Sequence, residues 1–163
     1  MKNKIVYALK MAFVAVVLWG VQGCKERDLV KRYQNAVKNA SRVAFYEIDE
    51  FPTEKTEQQK AKEYINDYEI KRTISLDETV ADSVKKELSN WSNYDTTNVK
   101  SCPFVAKYAL LFQQKTTTAL VVLGVAPCGR AVWSGSDATW ETKTVELAAT
   151  NQIENLLHKI ATK

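Results

Sequence analysis

Histidine is nearly missing from this 163-residue chain: His158 is the only one. Zinc-type sites draw on clustered Cys, His and carboxylate side chains, and one histidine beside three cysteines and scattered carboxylates leaves no metal-ligand spacing of the usual kind. Glycine is scarce too, and five dispersed residues exclude a Gly-rich phosphate loop. An excess of charge of one sign is also lacking. The formal charge is +4, but Lys2, Lys4 and Lys10 stand at the very start; without them 20 basic residues face 19 acidic ones. Nucleic-acid binding needs a clustered positive surface, so no such partner is expected, and no cofactor either. Long apolar runs are absent: Met11 to Trp19 is the longest unbroken one in the leader, nine residues, where a bilayer crossing needs roughly 20.

What is present begins with that leader. Three lysines and the short apolar segment match the n-region and h-region of a secretory signal, and Val21-Gln22-Gly23-Cys24 follows directly. The arrangement resembles bacterial lipoprotein signal peptides, whose lipobox runs Leu, a small residue, Gly or Ala, then Cys. Val21, Gly23 and Cys24 fit; Gln22 stands where a small residue is usual. The resemblance covers residues 1–24 and implies removal of 1–23, diacylglycerol on Cys24, and a palmitate-type acyl chain on the new amino terminus. Each buried methylene contributes about 0.8 kcal/mol, and two or more chains turn marginal membrane binding into stable anchoring. Lys25 stands where lipoproteins retained at the inner membrane carry Asp, which implies an outer-membrane destination, facing the periplasm or the surface. The alternatives are an ordinary signal cut after Gly23 and an uncleaved anchor.

Removal of the leader leaves 140 residues, one domain's worth. With Cys24 used for lipid, Cys102 and Cys128 remain, and two cysteines in an exported chain are expected to pair. They are equidistant from Lys115, inside the polar break Gln114-Lys115-Thr116-Thr117 between the apolar runs Phe104 to Phe112 and Ala119 to Ala126. A hairpin folded about Lys115 sets Cys102 opposite Cys128, with Phe104 facing Ala126, Ala106 facing Gly124, Tyr108 facing Val122 and Leu110 facing Leu120. Strands apolar on both faces belong at the centre of a sheet. The sulfurs act as a staple here, since no Cys-x-x-Cys spacing points to redox chemistry.

Hydrophobic periodicity supplies the remaining elements. Leu29, Tyr33 and Val37 predict a helix over 25–40, either packed or serving as a stalk. Arg42 to Asp49 predicts a strand, Thr53 to Glu63 a surface loop or a short solvated helix, and Tyr68 to Leu76 a strand. Asp77 is the expected N-cap of a helix carrying Val80, Val84, Leu88 and Trp91. Arg130 to Trp133 and Trp140 to Leu147 read as strands about the turn Ser134-Gly135-Ser136-Asp137. Ile153, Leu156, Leu157 and Ile160 form a closing helix with Thr150 as its cap. The expectation is an α+β fold: an antiparallel sheet with helices packed on one face and one disulfide-closed central hairpin. The domains are 1–23 signal peptide, 24–40 lipidated Cys, tether and N-terminal helix, and 41–163 a single α+β domain.

Catalytic signals are weak throughout. His158 follows Glu154 by four residues, the spacing of a solvated helix pair, and has no visible third partner for a nucleophile. Glu47, Asp49 and Glu50 cluster at a strand end without the geometry of a paired-carboxylate site. Aromatic residues near turns are the candidate ligand-binding set: Trp133 and Trp140 bracket a turn, while Trp91 and Tyr94 end the middle helix. Trp and Tyr dominate interface hot spots, although cross-strand Trp pairs also serve packing. The function expected is a non-catalytic envelope lipoprotein, held to the membrane by lipid on Cys24, that binds a protein, a peptide or a cell-wall ligand. The alternatives are an envelope enzyme, either a thiol oxidoreductase or a hydrolase, and a structural or assembly lipoprotein.

Overall fold

Apolar residues dominate 42–48, 106–112 and 117–124, and these stretches form the middle of an eight-stranded sheet. The computed structural model describes residues 31–95, 101–115, 117–125, 128–135, 142–149 and 151–162. The leader, Cys24, the proposed tether, Trp140 and the expected cap Thr150 lie outside the described residues. Helix α1 covers 31–38, and β1 (Arg42–Ile48), β2 (Tyr64–Ile65) and β3 (Tyr68–Ile74) follow. Next come α2 (Glu78–Ser89), a single 3₁₀ turn (Trp91–Asn93) and β4 (Tyr94–Asp95). The chain continues through β5 (Ala106–Gln114), β6 (Thr117–Gly124), β7 (Arg130–Gly135) and β8 (Lys143–Leu147) to α3 (Ile153–Ala161). The sheet order is β2-β3-β1-β5-β6-β7-β8-β4, with every pairing antiparallel. Mixed α+β architecture is therefore correct, and the cysteine-bounded hairpin β5–β6 is central.

Residues Tyr33 to Lys163 form one compact unit. Tyr33, Ala36, Val37 and Ala40 are buried, so the segment beginning with Tyr33 is packed and is not a free stalk. Gln34 Nε2 fixes it by donating to Ser89 O at 3.0 Å. Asp77 caps α2 as its position predicts, its carboxylate accepting from Val80 N at 2.8 Å. At α3 the helix follows Gln152, and the side-chain acceptor for the first turn is Asn151, 3.3 Å from Glu154 N.

Phe45, Leu110, Val121 and Trp133 form one cross-strand row. Successive side chains alternate between faces, so Ala109, Leu111, Leu120 and Val122 belong to the other one. That second face buries Ile48, Tyr68, Ala106, Ala109, Leu120 and Val122, with Tyr46, Ile70, Phe104 and Val132 packed against them. A sheet covered on both sides explains the continuous apolar runs of β5 and β6.

The hairpin register needs correction. Tyr108 pairs with Leu123 instead of Val122, and Leu110 with Val121 instead of Leu120; Ala106 with Gly124 is as expected. Gln114 pairs with Thr117 across a two-residue turn in which Lys115 takes φ 47°, the left-handed region that tight hairpin turns require. The polar residues expected to break the strands thus continue the ladder. A β-bulge at Lys107 absorbs the difference before Cys102 and Cys128 meet, with Cα atoms 6.2 Å apart in a disulfide.

Two short strands escape the sequence pattern. The β2–β3 hairpin turns through Asn66 and Asp67, both with positive φ (49° and 67°); Asn and Asp tolerate that region best among non-glycine residues. Strand β4 has only Tyr94 and Asp95, paired with β8 through Leu147 and Glu146. Trp91 and Tyr94 therefore lie beyond α2, in the 3₁₀ turn and in β4, and do not end the helix.

Candidate functional site

Three of the four aromatic candidates meet. The Trp91 ring centroid lies 4.9 Å from that of Tyr94, and Tyr94 lies 6.2 Å from Trp133. Tyr33 continues the stack, 5.3 Å from Trp133. These spacings suit tilted aromatic packing. Trp133 is 2% exposed and Tyr94 6%, while Trp91 is half-buried. Trp91 is the one member of the stack that reaches solvent, so the stack runs from the surface into the core. Tyr94 donates its hydroxyl to Leu88 O at 2.9 Å, and burial pushes its phenol well above the ordinary tyrosine range.

Two of the three carboxylates at the acidic strand end are paired. Arg72 pairs with Glu47 Oε2 at 2.9 Å and Lys71 with Asp49 Oδ1 at 2.6 Å. The bond to Asp49 holds the Lys71 ammonium above its usual range despite slight desolvation. Among the described residues no three His, Cys, Asp or Glu side chains come together as a metal site. His158 stands exposed on α3. A charge pair that periodicity does not reveal is Arg130 with Glu146, directly opposed on β7 and β8, 2.8 Å apart and with side chains only 14% and 6% exposed.

A concavity adjoins the Arg72–Glu47 pair. A groove of about 310 Å³ opens where the end of β3 meets the first turn of α2 and the last turn of α3. Its floor is apolar: Ile74, Val80 and Ile160. Arg72, Thr73, Ser75 and Asp77 supply its polar lining. Arg72 is held in place by Glu47 and by the carbonyl of Ala161 at the end of α3. Sequence reasoning missed this groove, because it joins three elements far apart in the chain. The visible signals were Val80 and Ile160, apolar residues half-exposed at the margins of their helical stripes.

Comparison with known proteins adds no name to this geometry: no family model, no curated protein and no solved structure matches the chain. The site must be read from its own chemistry.

Proposed function

We infer that the protein is a lipid-anchored lipoprotein of the bacterial envelope, a small α+β binding domain displayed from a membrane through Cys24. The observation that carries this is the Cys102–Cys128 disulfide. Structural disulfides belong to oxidising compartments, and this one consumes every cysteine except the one in the lipobox. Outer-membrane placement follows from Lys25. Helices α1, α2 and α3 are taken to share one face of the sheet, supported by the Tyr33–Trp133 stack and by the bond from Arg72 to Ala161. The domain acts by binding a protein, a peptide or a cell-wall ligand, without catalysis.

The test is to express the full chain with its leader, label with an alkyne palmitate analogue and fractionate the membranes. Label and membrane retention that both disappear in Cys24→Ser are the expected result. An unmodified, full-length amino terminus by mass spectrometry would refute the anchor.

A further inference from the structure

Strand β3 is longer than its outer neighbour. β2 pairs only with Tyr68 and Glu69, and one further bond, Ile70 N–H to Glu63 O at 2.9 Å, closes that ladder. Arg72, Thr73 and Ile74 pair with Glu47, Tyr46 and Phe45 of β1 on the inner side, Lys71 is the bulge residue just before them, and among the described residues no strand lies beyond this stretch. Alternate backbone N–H and C=O groups of an edge face outward, and Lys71, Arg72 and Thr73 are exposed. The groove floored by Ile74, Val80 and Ile160 adjoins this same stretch.

Resting on the reading of the protein as a binding domain, we propose that its ligand is an extended peptide segment that adds as a strand to β3 at 71–74 and seats one apolar side chain in the Ile74–Val80–Ile160 groove. Strand addition draws affinity from main-chain hydrogen bonds and specificity from pockets for alternate side chains, and both halves are present here. A free edge of four residues spans about 13 Å, the reach of a tetrapeptide. A second copy is a poorer occupant, since stable dimers bury about 1,200–2,000 Å² or more. The flanking charges set the ligand's character: Lys71 and Arg72 are already paired with Asp49 and Glu47, so a largely uncharged segment with one aliphatic or aromatic anchor fits.

The probe is a phage-displayed library of random linear heptapeptides, selected on the full chain in detergent micelles. Selected peptides, remade synthetically, are expected to slow amide hydrogen exchange across 71–75 and to lose affinity when alternate peptide amides are N-methylated. Val80→Glu supplies the control. It places a carboxylate on the groove floor and weakens binding about tenfold or more by burying charge, yet it completes a capping box with Asp77, so α2 and the melting temperature hold. Binding unaffected by Val80→Glu, exchange protection elsewhere, or β3 protection that appears with dimerisation and without peptide would each overturn the proposal. A parallel titration with soluble peptidoglycan fragments separates the two levels. If fragments bind and no peptide does, strand addition falls and the binding domain stands; if neither binds, both fall.

Discussion

Tyr108 lies across from Leu123, while Ala106 lies across from Gly124, so Lys107 is an extra residue on β5 with no counterpart on β6. The two-residue turn at Lys115 dictates one register and the Cys102–Cys128 bond the other. The bulge reconciles them, and the Lys107 ammonium folds back to 5.5 Å from the Tyr108 ring centroid.

The disulfide closes a loop with a sequence separation of 26. On the chain-entropy model, replacing both cysteines with alanine removes about 3–4 kcal/mol. Urea unfolding of the wild type and of Cys102→Ala/Cys128→Ala measures this. A redox-active pair predicts instead rapid reduction and little loss of stability.

Gly124 is needed for close approach. A Cβ there would sit 2.8 Å from Phe104 Cε2 and 2.8 Å from the backbone oxygen of Val105. The ring could shift, but the carbonyl is part of the segment leading from the disulfide into the bulge. Gly124→Ala is therefore expected to destabilise by about 1–3 kcal/mol through overpacking, read as a lower denaturation midpoint with an unchanged m-value.

Arg130 and Glu146 are buried together between β7 and β8. Removing one member of a buried pair typically costs about 3–5 kcal/mol, because a charge stays behind in low dielectric. Arg130→Met should thus be much more harmful than Arg130→Met/Glu146→Leu, and a double-mutant cycle in thermal melts tests the difference.

Tyr94 makes stability fall in alkali. Its folded-state pKa is raised by burial, so above about pH 10 the unfolded tyrosine releases a proton that the folded one keeps. The unfolded state then binds fewer protons, and stability declines as pH rises. The contribution is complete below the unfolded value and is lost as pH climbs through the raised folded value. Tyr94→Phe is expected to flatten this decline in urea midpoints followed upward from pH 8, while giving up the Leu88 bond, worth about 1 kcal/mol, at neutral pH.

Periodicity alone was enough for the elements whose signal is local. Val84 and Leu88 mark the buried stripe of α2, with Asp77 as its cap, and Ile153 with Leu157 that of α3. The cysteine pairing was legible as well, because two equidistant cysteines about a polar break leave one simple way to meet. Strands β2 and β4 were not, since two residues cannot establish an alternation. Trp133 carried two readings in the sequence, a binding aromatic beside a turn or a packed cross-strand residue, and it is core, because burial depends on what covers a strand and not on the strand's own sequence.

The amino-acid order by itself determined the longer helices and strands, whose apolar spacing is set by neighbours a few residues apart, and, through the count of cysteines and charges, which cysteines join and how charge balances. Tertiary structure decided the rest: the one-residue slip at Lys107, the burial of Arg130 with Glu146, and the groove among Ile74, Val80 and Ile160. These arise where segments distant in sequence must share space, and the fit of their side chains and backbone edges has no counterpart along the chain.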